Sequence, residues 1–415
     1  MSTSGWSSTR SFTTKASYIP SSEEAILSAS DKAASNYFGA SVAISADGTR
    51  VIVGSPYATV GAYGAAGKAY VFIRSGSSWS QEAIITAGDP QSNDRFGTSV
   101  AIASDGSRAI ISAPYKNNTY TSVGQVYVYT RSGSTWNTEA YFVAADRAAQ
   151  DRLGIDIDCD DACSRIIAGT YAATSGGITG AGKAYIFTRS GTSWYQEAMI
   201  YPTDRESYGY FGFKVSIAGD GTRCICGHLY GNVGGLTDAG KAVIFSRSGS
   251  SWTQEAILSA SDAANNGRFG SDVSIGSTGT RVAIGAYTMG AGGRAYIFVR
   301  SGTTWTQETP IVYASTQSAD EYGGYISISR DGTKIVVGAP MANPGGINNA
   351  GAAYLWSRSG TSWSHTATLS ASNKLADDSF GSSVEIDETG SRIVIGSPNA
   401  DPGSFGNAGA AYIFS

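Results

Sequence analysis

Residues that could form a catalytic centre are few in this sequence and lie far apart. The chain contains two histidines, His228 and His365, and neither belongs to a motif with a nucleophile or a second metal ligand. General acid–base and metal chemistry need such groups to converge on one point. We therefore expect a protein that is not an enzyme, and catalysis in a central channel is the weakest function considered.

The densest acidic group is Asp156, Asp158 and Asp160, which alternate along one segment and are followed by Asp161. Alternate side chains on a strand share one face, so these carboxylates could bind a cation or line an acidic channel. Ligands spaced along a flat strand converge poorly on one ion. We favour pairing with a basic residue such as Lys214, which lies at the equivalent position of the next repeat, and we expect no metal site.

The four cysteines are local features. The spacing of Cys159 and Cys163 permits a disulfide across a turn. Cys224 and Cys226 occupy strand positions that hold Val or Ile elsewhere in the chain, which favours core packing over metal or redox chemistry. Disulfides are therefore not expected to hold this protein together.

Tyrosine and arginine are the side chains that we expect to contact a ligand, because both are favoured at interfaces and tyrosine rings stack on sugars. Tyr57, Tyr115 and their equivalents recur at one place in the repeat and are interpreted as packing loops onto a neighbouring unit. The remaining candidates for ligand binding are Tyr63, Tyr120, Tyr208, Tyr210, Tyr230, Tyr287, Arg95, Arg152 and Arg268.

Two glycine motifs recur along the chain and define the units that carry these side chains. The first is Phe-Gly or a variant, and a second motif such as Gly54-Ser55-Pro56 follows 16 residues later. A fixed period of this length indicates one supersecondary unit that buries its faces by stacking on its neighbours. The first motif begins at Phe38, Phe96, Leu153, Phe211, Phe269, Tyr322 and Phe380, which predicts seven units.

Each unit reads as four strands joined by Gly-containing turns, with no sustained helical periodicity. The segment Ser22–Asp31 nearly repeats Thr253–Asp262, which is a fourth strand, whereas the chain stops at Ser415 after a third strand. We therefore predict an all-β, seven-bladed β-propeller of four-stranded antiparallel blades over residues 21–415. Pairing of the N-terminal strand with the C-terminal blade closes the ring. Residues 1–20 form a Ser/Thr-rich segment outside the repeats, interpreted as an arm, a linker or a disordered leader.

Two further recurrences are expected to be architectural. An arginine recurs at Arg50 and its equivalents, with Lys334 in the sixth unit, and is expected to form ion pairs or hydrogen bonds between blades. An acid recurs in the loop before Phe-Gly, as at Asp31, and is expected to accept backbone N–H bonds. The loops after the second motif and those before Phe-Gly vary most, so we place recognition on the disc face that they form.

Composition excludes several partners. Charged residues make up 15 % of the chain and the formal net charge is −4, so there is no basic field for nucleic acid. No apolar run approaches the ~20 residues of a membrane-spanning helix. The N-terminal region has no hydrophobic segment typical of a signal peptide, so we expect no membrane insertion.

The motifs resemble the FG-GAP repeat of integrin α-subunit heads and of many bacterial, algal and viral surface proteins. The resemblance extends from about Ser22 to Ser415 and is clearest over Phe38–Phe72, Phe96–Tyr129, Tyr322–Trp356 and Phe380–Phe414. It implies a seven-bladed propeller used for adhesion or recognition, with ligands met on one face. Many such repeats also bind calcium through Asp-x-Asp-x-Asp-Gly, but four of the corresponding turns here carry one carboxylate each, as at Asp47, and two others, Ser277-Thr278-Gly279 and Glu388-Thr389-Gly390, lack that aspartate. Calcium is therefore possible by resemblance only, and no cofactor is expected.

Two functions remain after the enzyme is set aside. The first is a non-catalytic adhesion or recognition propeller that binds a protein or glycan through its variable loop face. The second is a structural subunit of a virion or surface appendage, with the N-terminal segment as its docking element and neighbouring subunits as partners. Both favour an extracellular, cell-surface or virion-surface location.

Overall fold

A computed structural model describes residues 19–313 and 319–415. These residues form a closed, all-β, seven-bladed propeller in which every blade is a sheet of four antiparallel strands, as predicted. Among them, the only helical element is a 3₁₀ turn at Pro344–Gly346. Residues 1–18 of the predicted N-terminal segment lie outside the described residues.

The strands are numbered in chain order. The first half comprises β1 (Glu23–Leu27), β2 (Ser41–Ile44), β3 (Arg50–Ser55), β4 (Lys68–Ser75), β5 (Ser78–Ile85), β6 (Val100–Ile102), β7 (Arg108–Ala113), β8 (Gln125–Ser132), β9 (Thr135–Phe142), β10 (Ile157–Cys159), β11 (Arg165–Thr170), β12 (Lys183–Ser190), β13 (Ser193–Ile200) and β14 (Phe211–Ile217). The second half comprises β15 (Arg223–His228), β16 (Lys241–Ser248), β17 (Ser251–Leu258), β18 (Val273–Ile275), β19 (Arg281–Ala286), β20 (Arg294–Ser301), β21 (Thr304–Gln307), β22 (Tyr325–Ile328), β23 (Lys334–Ala339), β24 (Ala352–Ser359), β25 (Ser362–Leu369), β26 (Ser383–Ile386), β27 (Ile393–Ser397) and β28 (Ala410–Phe414).

The apolar core lies between blades rather than within them. One cluster combines Ile52 and Val71 of blade one with Phe96, Ile111 and Tyr127 of blade two. A four-stranded blade is too thin to bury both of its faces alone, so each blade gains its core by stacking on the next. The fixed repeat period therefore reflects the burial of each blade's faces against its neighbours.

The ring closes within blade seven. Strand β1 pairs with β28 in the sheet order β1-β28-β27-β26, with Ala25 opposite Ile413. Ser22 and Ser415 then exchange two backbone hydrogen bonds of 3.2 and 2.9 Å. The predicted pairing of the two ends is confirmed, and it leaves neither β1 nor β28 as an unpaired edge strand.

The two glycine motifs meet at the seam between consecutive blades. A Cβ atom on Gly54 would lie 2.0 Å from the carbonyl oxygen of Gly97, the glycine of the next Phe-Gly. Gly97 itself has a φ of +88°, a conformation that glycine adopts without strain. The pairs Gly169 and Gly212, and Gly227 and Gly270, repeat this approach in later blades. Both glycines are therefore needed for neighbouring blades to come this close.

The recurrent arginine forms its ion pair within its own blade. Of the two expected contacts between blades, the ion pair is therefore wrong, whereas the hydrogen bond is present, as from Arg281 to the Gly332 carbonyl at 3.1 Å. Arg108 donates to Glu139 of the same blade at 2.8 Å, while its other nitrogen reaches the next blade's Ala162 carbonyl at 3.5 Å. A second arginine, Arg189, and the indole of Trp194 cross the seam to the same glutamate. One buried carboxylate thus receives donors from two blades.

The seam between blades six and seven lacks this glutamate-centred contact. His365 replaces the glutamate on β25, and its ring lies 4.7 Å from that of Tyr313. Lys334 replaces the recurrent arginine and donates to the Gly390 carbonyl of blade seven at 2.7 Å. The acceptor and its usual donor have therefore changed together at one seam.

The recurrent aspartate of the crossovers accepts mainly from side chains, and the backbone acceptance that we expected is a weaker contact with its own residue at Asp31 and Asp146. Asp31 receives the Lys68 ammonium at 2.5 Å and the Tyr70 hydroxyl at 2.8 Å, both from the following blade. Burial opposes ionisation, but these two donors lower the pKa of Asp31. In blade four Val243 replaces the tyrosine, and Oδ1 of Asp204 is left without a partner. The aspartate therefore fastens each crossover to the next blade.

The cysteines behave as the sequence suggested. Cys159 and Cys163 form a disulfide that spans the first hairpin of blade three, with Cα atoms 4.9 Å apart. Cys224 and Cys226 are buried thiols in the core between blades three and four. Within the described part of the chain, no helix has the length and apolar character needed to span a bilayer.

Candidate functional site

The residue before each Phe-Gly is held in an unusual backbone conformation on the loop face of the disc. In all seven blades its φ lies between 51° and 58°, although none of these residues is glycine. The Arg95 N–H donates to the Ala65 carbonyl of the preceding blade, and Arg152 donates likewise to Ser122. The seven residues are Tyr37, Arg95, Arg152, Tyr210, Arg268, Glu321 and Ser379. The strained backbone thus fixes where each of these side chains begins.

A continuous arc of stacked side chains runs over blades one to five on this face. It alternates residues from the position before Phe-Gly with tyrosines that follow the second glycine motif, and successive groups lie 4.3 to 5.8 Å apart. We call it the tyrosine–arginine arc. Its members in order are Tyr37, Tyr57, Arg95, Tyr115, Arg152, Tyr171, Tyr210, Tyr230, Arg268 and Tyr287.

Six of the nine predicted ligand-binding residues belong to the arc: Arg95, Arg152, Tyr210, Tyr230, Arg268 and Tyr287. Tyr208 lies beside it, with its ring 6.4 Å from that of Tyr210, and is 59 % exposed. Tyr63 and Tyr120 are exposed in their loops and make no contact with the arc.

Sequence reasoning assigned some members of the arc to packing alone. Tyr115 does pack onto the next blade, but the group that it meets there is the guanidinium of Arg152, 5.2 Å from its ring centre. Tyr57 contacts Arg95 in the same way at 4.7 Å. The sequence did contain a signal for these contacts. The tyrosine always follows the second glycine motif and the arginine always precedes Phe-Gly, so each tyrosine could have been paired with the arginine of the following blade.

The arc borders the mouth of a central channel. A cavity of about 540 Å³ at this mouth is lined by Tyr171, Tyr210, Tyr230 and Tyr287 together with Glu321. A narrower cavity of about 200 Å³ continues inward between the first strands of all seven blades. Its outer layer is formed by Ser41, Ser99, Asp156, Lys214, Asp272, Tyr325 and Ser383.

Lys214 occupies the centre of the charged layer in the channel. Its Nζ lies 3.4 Å from Asp156 and 3.8 Å from Asp272, so the expected pairing with Asp156 is present. Burial alone would lower the pKa of Lys214, but the two carboxylates raise it above its ordinary value. Burial raises the pKa of Asp272 to about 6. Deeper in the channel, burial and then the Asp158 charge raise the pKa of Glu385 to about 8.

The three alternating aspartates of blade three have separate roles in the structure. Only Asp158 lies within β10, and its carboxylate accepts from the Ser216 hydroxyl at 2.9 Å. Asp160 faces its own turn and accepts from the Ser164 and Arg165 N–H groups. Across residues 19–313 and 319–415, no group of three or more His, Cys, Asp or Glu side chains is arranged to hold a metal ion.

The hairpin turns do not fit calcium either. Asp47, the carboxylate in the first turn, accepts from the Ser45 hydroxyl at 2.6 Å and from the N–H of Thr49 at 2.9 Å. Asp331 is engaged identically in blade six. One carboxylate that is already used to close its own turn cannot supply the six or more oxygens that calcium requires.

Five segments of the chain match a family model described as the FG-GAP repeat, and together they cover more than half of the sequence. The matched residues are 21–72, 79–129, 252–298, 305–356 and 363–414. The chain belongs to the FG-GAP repeat family. A comparison with curated proteins found no match.

Each matched FG-GAP segment straddles a seam of the propeller. Residues 79–129, for example, comprise β5 of blade one and the first three strands of blade two. The repeat unit of the sequence is therefore offset by one strand from the blade, and this offset makes the chain begin with a fourth strand. The FG-GAP matches leave out residues 130–251, where Leu153 replaces phenylalanine and the charged channel residues Asp156 and Lys214 lie.

Proposed function

We propose that this FG-GAP propeller is a non-catalytic recognition module that binds a protein or glycan at a surface through its loop face. The observation that carries the proposal is the tyrosine–arginine arc around the channel mouth. Tyrosine and arginine anchor interfaces because they offer a large contact area and several hydrogen-bonding groups for little loss of side-chain freedom.

The arc is suited to recognition because its side chains are both accessible and fixed in place. Tyr57 is 38 % exposed, and Arg95 beside it is partly exposed between two rings. The backbone beneath Arg95 is held at a φ of 55°. A partner would therefore meet a preorganised surface, which reduces the entropy lost on binding.

Neither histidine is a member of the tyrosine–arginine arc. His228 is completely buried on β15, and His365 stacks within an aromatic group on β25. The polar groups at the mouth are tyrosine hydroxyls, Glu321, and Lys214 with its two paired carboxylates. Such an arrangement supports binding at the mouth more readily than acid–base chemistry.

The experiment is a screen of protein and glycan arrays with the full chain and two matched double variants. Tyr210→Ser with Tyr230→Ser removes two rings of the arc. Tyr141→Ser with Tyr195→Ser removes two tyrosines, 65 % and 54 % exposed, on fourth strands away from the loop face. We expect the arc variant to lose its targets and the control to keep them. Equal binding by both variants would contradict the proposal, provided that circular dichroism shows both to be folded.

A further inference from the structure

We propose that the tyrosine–arginine arc binds an acidic glycan, specifically a chain of uronic acid sugars, lying along the arc across the channel mouth. This inference rests on the proposed recognition function and specifies the chemical class of its ligand.

Within the described part of the chain, the three arginines of the arc form no ion pair with a carboxylate, although the charge of Arg268 opposes the rise that burial causes in the pKa of Glu321. Among residues 19–313 and 319–415, no Asp or Glu oxygen lies within 4.0 Å of the guanidinium nitrogens of Arg95, Arg152 or Arg268, although most arginines of the blade seams form such pairs. The Nε atoms of all three are buried and lack a hydrogen-bond acceptor. A partly exposed guanidinium that forms no ion pair keeps its positive charge, so an anion is the ligand that these side chains favour.

The neighbouring tyrosines orient these cations without neutralising them. The guanidinium carbon of Arg95 lies 4.7 Å from the ring centre of Tyr57 and 4.3 Å from that of Tyr115. The guanidinium of Arg152 donates to the Tyr171 hydroxyl. Ring faces attract a cation but carry no net charge. Each arginine is thus held as a planar donor, suited to bidentate contact with a carboxylate.

The alternation of groups favours a sugar chain over other anions. Along the arc, rings that can stack on the C–H face of a sugar alternate with cations on blades two, three and five, and a polyuronate carries one carboxylate per ring. Nucleic acid carries far denser charge, which the net charge of −4 opposes. Asp156, Asp272 and Glu321 line the mouth below. These carboxylates repel an anion from the channel, so an acidic chain would remain on the arc.

The test uses the full chain and two matched pairs of probes in isothermal titration. The sugar probes are oligogalacturonate and alginate oligomers, each compared with its carboxyl-reduced neutral form of the same length. An oligoglutamate peptide of equal charge is the competing class of anion. The variant is Arg95→Gln with Arg152→Gln, and the control is Arg205→Gln, which removes an arginine that stacks on Tyr201 outside the arc.

We expect at least one polyuronate to bind about ten-fold or more tightly than its reduced form, and the double variant to lose that difference while Arg205→Gln keeps it. Affinity should also fall as salt is raised. Equal binding of acidic and reduced forms would overturn the inference, but dependence on the arc tyrosines would keep the recognition function. Stronger binding of oligoglutamate, an equal loss in Arg205→Gln, or no binding of either polyuronate would each overturn the acidic-glycan assignment alone, since the array screen tests recognition separately.

Discussion

A completely buried histidine links the stability of blade four to pH. Neither ring nitrogen of His228 has a hydrogen-bond partner among the described protein atoms. The ring fits because residue 209 is glycine, where a Cβ atom would lie 2.1 Å from Nε2, whereas blade one has Asn36 at this position. Burial, and then the charge of Lys241, lower the pKa of His228 to about 4.

We predict that this histidine destabilises the protein in acid. In the unfolded chain His228 has a pKa of about 6.5, but in the folded chain it binds a proton only near pH 4. The folded state is therefore not penalised by this histidine above pH 6.5, and it loses stability as the pH falls from 6.5 towards 4. The loss between pH 7 and pH 5 should be about 2 kcal/mol of unfolding free energy. His228→Ser should remove this pH-dependent loss, because serine does not titrate. Serine also fits the position, since the equivalent Ser55 of blade one donates to the Asn36 carbonyl. Denaturant unfolding at both pH values measures it, and an unchanged pH dependence would contradict the prediction.

A second residue-scale prediction concerns the glutamate shared by two blades. Glu139 is 10 % exposed and accepts from two arginines and a tryptophan. Glu139→Ala would leave these partly buried donors unpaired, so we expect a loss of about 2 kcal/mol. His365→Ala changes the equivalent position of blade six, where no such donors meet, and should cost about 1 kcal/mol through lost ring contacts. Equal losses of unfolding free energy for the two variants in urea would show that the shared carboxylate does not stabilise the seam.

Residue roles were the part of the site that the sequence predicted least completely. Arg95 and Arg152 were identified because arginine is favoured at interfaces and both lie in crossovers, but their contacts with a tyrosine of the preceding blade were not predicted. The outer and inner residues of the channel, such as Asp272 and Glu385, were missed. These residues lie three and five positions after the aromatic residue of each Phe-Gly, and this regular spacing indicates that they share one face of the first strand. The sequence does not show that this strand faces the channel, because that depends on closure of the ring.

At the scale of the strand, close contact between blades depends on the two glycines of each seam. Gly54→Ala would place a methyl group 2.0 Å from the Gly97 oxygen, and that oxygen belongs to backbone that cannot rotate away. We predict a loss of about 3 kcal/mol or more. The control is Gly88→Ala, since Gly88 has no heavy atom within 4 Å of its added Cβ, and it should change stability by less than about 0.5 kcal/mol. Comparable melting curves for the two variants would refute this account.

The elements themselves were predicted well because their signals are local. Alternating apolar residues and Gly-containing turns such as Asp105-Gly106 indicate antiparallel hairpins without reference to the rest of the chain. That the ion pair of Arg108 lies within its own blade was not predicted, because this contact is not local in sequence. The same glutamate contacts both blades, and sequence spacing does not distinguish a partner in one blade from a partner in the next.

At the scale of the whole molecule, the pairing of β1 with β28 closes the ring and so keeps every blade packed against its neighbours. Deletion of residues 1–20 leaves β1 in place, whereas deletion of residues 1–31 removes β1 and exposes β28 as an edge strand. We predict an unchanged melting temperature for the first deletion, and unfolding or strand-exchanged dimers for the second. Light scattering and thermal melts distinguish these results, and equal stability of the two proteins would contradict closure by β1.

Closure was predictable from sequence because the repeat is out of phase with the chain, beginning at a fourth strand and ending at a third. The tyrosine–arginine arc was not predictable, because its side chains come together only when blades one to five lie side by side. Its successive members are separated by about 20 to 40 residues along the chain, and the contacts Tyr57–Arg95, Tyr115–Arg152, Tyr171–Tyr210 and Tyr230–Arg268 cross a seam.

The shared backbone conformation before every Phe-Gly gives this propeller one repeated position that carries chemically different side chains. Tyrosine, arginine, glutamate and serine all occupy this position with φ between 51° and 58°. Ser379 is buried, whereas the other six side chains are partly exposed, so substitutions at those six positions would change the chemistry of the loop face without a change of backbone. A combinatorial library that varies only these six codons would sample many surface chemistries on one fold.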